Sequence, residues 1–188
     1  MRYALAVLLT LAFTLATVQT ASADSTTPRY HPGATVTVPL KDGGKIVVTS
    51  EGGPVIGRGY AIHKLGDPAD WVSTTVTVSN CCGQVLFTYN LTTNFYWDGG
   101  TLLQVSQGTT ARVYWQGWQV ASNDRNWYWT QYPVRALSWA RGEFDYYQWV
   151  PILGYTFLVR QCVINIEHTI DGFGGKSWTW NRNGSAGC

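Results

Sequence analysis

The stretch that decides the fold is Trp71-Val72-Ser73-Thr74-Thr75-Val76-Thr77-Val78-Ser79. Val72, Thr74, Val76 and Val78 fall on one side of a period-two repeat, and Trp71, Ser73, Thr75 and Thr77 on the other. Period two belongs to a pleated strand, whose successive side chains point to opposite faces. Its β-branched residues suit a half-buried pleated surface. The pattern returns where Cys162, Ile164 and Ile166 alternate with Val163, Asn165 and Glu167, and where Val36 and Val38 alternate with Thr35 and Thr37. Good helix formers are scarce, with three Glu, four Lys and one Met, and no long stretch after the first residues repeats at helical spacing.

Turn signals cut this pattern at short intervals. Asp42-Gly43-Gly44 and Asp98-Gly99-Gly100 can each close a hairpin, because Gly reaches positive φ at little cost. Glu51-Gly52-Gly53-Pro54, Gly66-Asp67-Pro68 and Asp171-Gly172 read as further breaks. Strands are expected near 34–39, 45–50, 56–63, 71–79, 84–90, 93–97, 101–106, 110–120, 126–130, 143–149, 153–160, 162–168 and 176–180. Many short strands with regular breaks imply an all-β fold. The expectation is a single-domain, mainly antiparallel β-sandwich, Ig-like or jelly-roll-like, with a β-barrel as the alternative. The polar run 121–126 reads as an exposed loop.

Residues 1–23 have the form of a cleavable secretory signal peptide. Arg2 gives a positive start, an uncharged apolar run extends from Ala4 to about Val18, and Ala21-Ser22-Ala23 supplies small residues at the cleavage site. Export to a secreted or extracellular location follows, with cleavage after Ala23. Residues 24–33, which include Pro28 and Pro32, then read as a flexible N-terminal arm. Residues 34–188 form one Trp-rich domain, with no later run apolar and long enough to cross a bilayer as a helix.

Export makes Cys81, Cys82, Cys162 and Cys188 a disulfide set, since an even count in an oxidising compartment favours pairing. The expected bridges are Cys82–Cys162 and Cys81–Cys188. Cys162 shares the parity of Ile164 and Ile166, and a bond at Cys188 would pin a chain end. The cysteine and histidine spacing matches no zinc pattern, so no metal site is expected, and no cofactor motif is present.

The chain carries 10 Trp, 11 Tyr and 6 Phe, and 15 of these 27 rings lie in residues 95–149. Trp127-Tyr128-Trp129 and Trp178-Thr179-Trp180 each place two indoles on one strand face, about 7 Å apart. That spacing suits successive sugar rings, whose C–H faces lie flat on aromatic platforms. Trp127, Trp129, Trp178 and Trp180 are therefore the first candidate ligand-binding residues. Trp115 and Trp118 have opposite parity and join them only if Gly117 marks a bulge. The competing reading is core packing, since a large ring buries roughly 150–250 Å².

Charge is low and nearly balanced, at 13 Lys and Arg against 11 Asp and Glu. Nucleic acid is thus not an expected partner. Glu143 and Asp145 share strand parity among Phe144, Tyr146, Tyr147 and Trp149, and are the candidate acid and base of a glycoside hydrolase. No nucleophile elbow, zinc helix or phosphate loop supports catalysis. His168 shares the parity of Ile164 and Ile166 and reads as a hydrogen-bonded histidine at the edge of the core. The leading expectation is a secreted, non-enzymatic protein that binds a carbohydrate or glycoconjugate through Trp and Tyr. A self-assembling or cell-envelope protein and a secreted hydrolase are the alternatives, and the sequence sets no oligomeric state.

Overall fold

A computed structural model describes residues 29–54, 69–152 and 154–184. The expected strand at 56–63, the signal segment and Cys188 lie outside the described residues. The rest is all-β, with no helix among the described residues. Strands β1 (Thr35–Pro39), β2 (Lys45–Pro54), β3 (Ala69–Ser79), β4 (Val85–Asp98) and β5 (Thr101–Val113) make one antiparallel sheet in sequential order. Strands β6 (Trp118–Gln131), β7 (Arg135–Val150), β8 (Tyr155–Asp171) and β9 (Lys176–Gly184) make the second. Every neighbour in each sheet is the next strand in sequence. This meander replaces the expected Ig-like or jelly-roll order, which needs long Greek-key connections. The sheets do not close into a barrel.

The strands are longer and fewer than the sequence pattern suggests. Residues 84–90 and 93–97 merge into β4, while 153–160 and 162–168 merge into β8. The stretch 110–120 is instead divided by a turn at Trp115–Trp118, where the Trp118 amide donates to the Trp115 carbonyl at 3.3 Å. Residues 121–126 are not a loop but the middle of β6. That strand lies at a sheet edge, where polar side chains face water and discourage pairing with other chains.

The alternation of 71–79 sets the inner face of β3, and the partner strands follow it. Val76, Val78, Phe87, Tyr89 and Leu91 meet Phe144, Ile164 and Ile166 of the other sheet in one apolar cluster. Phe87 and Phe144 stack across the sheets with centroids 4.0 Å apart. Val72, Phe95, Val105, Ala136 and Ile170 form a second cluster.

Between the two runs a chain of polar side chains. The imidazole of His168 is fully buried, with Nδ1 2.8 Å from Thr93 Oγ1 and Nε2 2.9 Å from Thr74 Oγ1. Thr93 Oγ1 donates to Ser138 Oγ at 2.9 Å, and Ser138 Oγ donates to Gln107 Oε1 at 2.6 Å. Thr93 has thus spent its proton, so His168 Nδ1–H donates to it. Nε2 faces the Thr74 hydroxyl. Thr74 Oγ1 also lies 3.3 Å from Ser50 Oγ. The chain joins β2, β3, β4 and β5 to β7 and β8, and His168 sits deeper than the edge-of-core place expected for it.

The segment before β1, read as a loose arm, is tied where it is described. Tyr30 and Trp178 exchange backbone hydrogen bonds at 2.8 Å in both directions. Their rings stack at 4.7 Å.

The cysteines depart from the expected pairing. Cys81 and Cys82 are free, exposed thiols at the tip of the β3–β4 hairpin, with 3.6 Å between sulfurs. Asn80 shapes this tip by accepting the Cys82 and Gln84 amides at 3.0 Å. Cys162 is sealed in the core, as its parity indicates. A sulfur held in solvent at a hairpin tip does not reach it, so neither Cys82–Cys162 nor Cys81–Cys188 forms.

Burial pushes the His168 pKa down from 6.5 to about 3. The unfolded chain therefore takes up a proton that the folded chain refuses. Stability supplied by neutral His168 is complete above pH 6.5 and drains away as pH falls towards 3. Urea midpoints should drop across that window, and a His168→Gln variant should flatten the drop. At pH 7, Thr93→Val should cost about 1–3 kcal/mol in the same assay, because it strands the His168 and Ser138 groups without their partner.

Candidate functional site

Only two of the seven Trp in 95–149 stand well out in solvent. Trp115 is 40% exposed and Trp149 is 55% exposed. The four leading candidates face inward. Trp178 is 1% exposed, and its Nε1 donates to the His31 carbonyl at 3.1 Å. Trp180 packs on the same core cluster. Each does lie on one face with its W-x-W partner, but that face is the interior. Trp178 sits across from His168 and Trp180 across from Ile166, both inward positions.

Trp127 and Trp129 behave alike. They pair with Ser138 and Ala136, which line the inner face of β7. Their rings meet edge-on at 5.6 Å and 82°, a contact that leaves no shared flat platform. Both are half-buried against the second apolar cluster. A bulge explains how odd-numbered Trp127 and even-numbered Trp118 point the same way. The β6–β7 register shifts between Val120 and Ser122, so the extra residue Ala121 flips the parity of everything after it.

Trp115 and Trp118, the weakest sequence candidates, are the pair that meets in a cavity. The volume is about 140 Å³, at the end of the molecule where the β1–β2 and β3–β4 turns lie. Gly117 is not a mid-strand bulge but part of the turn from β5 to β6, at φ 92°. A Cβ there would lie 2.7 Å from the Tyr146 ring and 2.9 Å from the Tyr147 carbonyl. Glycine is thus required, and it lets Trp115 and Trp118 fold towards one space. The turn is fastened on both sides, by the Trp115 amide to the Leu86 carbonyl at 3.2 Å and by the Tyr147 amide to the Gly117 carbonyl at 2.8 Å.

Trp118 is buried against Phe87 and Tyr146, at ring separations of 5.0 and 5.4 Å. The polar side of the cavity holds Asn80, Asp42 and Arg160. Arg160 donates to Asp42 Oδ2 at 2.9 Å, and the Gly44 amide donates to Oδ1 at 3.1 Å. The Gly44 amide and then Arg160 hold the Asp42 carboxyl below its ordinary pKa, against the opposing effect of burial. The Asp42 carboxylate therefore stays charged at neutral pH. An indole face beside a charged donor and acceptor can grip a ring that is apolar on its faces and hydroxylated at its rim. Sequence reasoning missed Asp42, Asn80 and Arg160, which come from three strands or turns with no local motif.

Glu143 and Asp145 do share a face, but it is the outer face of β7. The Gln161 amide bridges them, donating to Glu143 Oε1 at 2.6 Å and to Asp145 Oδ1 at 3.3 Å. Tyr147 also donates to Asp145 at 3.2 Å, and Arg141 lies 3.6 Å from Glu143. Neither carboxylate lines the Trp115 cavity. A second cavity of about 200 Å³ lies at the opposite end, lined by Arg29, His31, Arg135 and Lys176 with Asp171 and Ser177. Lys176 is ion-paired with Asp70 there. With no aromatic wall, this cavity suits an anion rather than a sugar face.

No protein-family model, curated protein or solved structure matches this chain.

Proposed function

We propose that this is an exported, non-enzymatic, single-domain β-sandwich that binds a carbohydrate or glycoconjugate at the Trp115 cavity. The observation that carries the reading is the union of an exposed indole with the Asp42–Arg160 pair in one space. In this reading the Trp115 face stacks on the C–H side of a sugar ring. Arg160 donates its remaining N–H groups to hydroxyls, and Asp42 accepts from them. Size narrows the ligand. The space of about 140 Å³ is small and open on one side, a scale that takes one sugar ring more readily than several. A terminal or branching residue fits this better than the length of a polymer chain. Trp118 serves as floor. Trp127, Trp129, Trp178 and Trp180 serve packing, and Glu143 and Asp145 are bridged by the Gln161 amide on the outer face of β7.

Export with cleavage after Ala23 remains part of the proposal, on the form of residues 1–23. So does a staple, relocated to Cys162 and Cys188. Cys162 carries no titratable thiol, while Cys81 and Cys82 do not pair, which leaves Cys188 as the partner.

Two measurements test these readings. Titrating a panel of glycans while following Trp emission should give saturable binding, weakened roughly tenfold or more by Trp115→Ala, since a stacked indole contributes a kcal/mol or more. Trp129→Ala should leave affinity intact. Emission that never moves, with no glycan retaining the protein, would sink the sugar reading. For the staple, a thiol reagent should find two reactive groups per native chain, and four after reduction in denaturant.

A further inference from the structure

Between Asp145 and Arg160 the chain has no charged residue, over Tyr146-Tyr147-Gln148-Trp149-Val150-Pro151-Ile152-Leu153-Gly154-Tyr155-Thr156-Phe157-Leu158-Val159. Apart from Leu153, which lies outside the described residues, they form the far part of the β7–β8 hairpin, where Val150 pairs with Tyr155 and Gln148 with Phe157. β6 begins at Trp118 opposite Tyr146, and β9 ends at Gly184 opposite Cys162. Beyond those points, among the described residues, no strand flanks the hairpin on either edge. It leaves the packed sheets as a two-stranded ribbon.

Both faces of this ribbon are apolar and both are in solvent. Ile152 at the turn is 94% exposed and Trp149 is 55% exposed. Tyr155, Phe157, Leu158 and Val159 run consecutively but for Thr156, and all are exposed. Alternation fails here because there is no inner face. An isolated hairpin is marginally stable in water, and a contiguous apolar surface of this kind marks an interaction site. A protein partner docked on one face would leave the other wet. An environment that surrounds the tip on all sides satisfies both.

The charges around the hairpin's base fit that environment. Lys41 in the β1–β2 turn, Lys45 at the start of β2 and Arg112 near the end of β5 are exposed at this end of the molecule. Three carboxylates share this end: Asp42 is ion-paired with Arg160, Glu143 lies 3.6 Å from Arg141, and Asp145, 7% exposed, accepts from Gln161 and Tyr147. A cationic collar behind an uncharged aromatic and aliphatic tip complements an anionic lipid surface. Tyr and Trp on the ribbon suit the headgroup boundary, with Ile152 foremost. Length sets the depth. Four residues per strand reach about 14 Å, short of the roughly 9–11 residues that span a bilayer. The open strand edges also bar the hydrocarbon centre, where their N–H and C=O groups would find no partner.

We propose that the β7–β8 hairpin tip inserts into the interfacial layer of an anionic lipid membrane, with Trp149, Ile152, Tyr155 and Phe157 as the buried residues. The site is separate from the sugar cavity, so vesicles free of carbohydrate test it alone. The full protein is floated with phosphatidylcholine vesicles, with and without phosphatidylglycerol. It should float with the anionic vesicles, less so as salt rises, and brominated acyl chains should quench part of its Trp emission. Ile152→Asp should lower the bound fraction roughly tenfold or more, with an unchanged melting temperature because Ile152 touches so little. No flotation with either vesicle would overturn the proposal. So would lipid-free self-association that Ile152→Asp disperses, because the tip would then be covered by a second copy of the chain.

Discussion

The two sheets are held in one relation by His168 and the hydroxyls around it. A buried imidazole is costly unless both nitrogens find partners. Here Thr93 and Thr74 supply them. Ser138 and Gln107 complete the chain on one side. Apolar contacts between sheets are tolerant of sliding, since one Val meets another much as it meets the next. A directed chain of hydrogen bonds is not. A two-residue slip of β8 would keep its apolar face inward but carry the imidazole away from both threonines. The polar layer thus specifies the register that the apolar clusters on either side only favour.

That register fixes where the Trp115 cavity lies. With Ser138 opposite His168 in the β7–β8 pairing, Tyr146 falls opposite Arg160 and Trp118 opposite Tyr146. The aromatic wall and the guanidinium therefore arrive together at one end of the molecule. Asp42 reaches them from the other sheet, and the Asp42–Arg160 bond crosses between the sheets there. The cavity is a product of sheet alignment rather than of any local motif.

The strand periods were legible because Val72, Val76 and Val78 or Ile164 and Ile166 leave no doubt about one apolar face. The W-x-W pairs show the limit of that reasoning. Parity correctly placed Trp178 beside Trp180 and Trp127 beside Trp129, but indoles are at home on either face, so parity alone could not say which one. Pairing could: Trp178 falls beside His168 only once the β8–β9 register is known. The shift at Val120/Ser122 was equally hidden, because Ala121 is an ordinary residue and a bulge needs none in particular. Residues 121–126 looked like a loop because an edge strand needs no apolar face when its outer side is water. The disulfide assignment failed for a different reason. An even cysteine count carries no information about depth, and Cys81 and Cys82 sit on a hairpin tip that Asn80 and Gly83 hold outward.

The extra length of β7 and β8 has an energetic consequence. Inside the sheets, each added residue gains two neighbouring strands and one covered face. Past Tyr146 and Arg160 it gains one neighbour and no cover, yet the same backbone entropy is lost, about 1–2 kcal/mol per residue. A ribbon built from Trp149, Val150, Tyr155 and Phe157 has strong strand preference, which offsets part of this cost. It remains the least supported regular structure among the described residues. Folding therefore acts differently on the two halves of one hairpin. The inner half is closed around His168 and is intolerant of change. The outer half contributes little to the core, and its apolar residues Trp149, Ile152, Tyr155 and Phe157 stand in solvent.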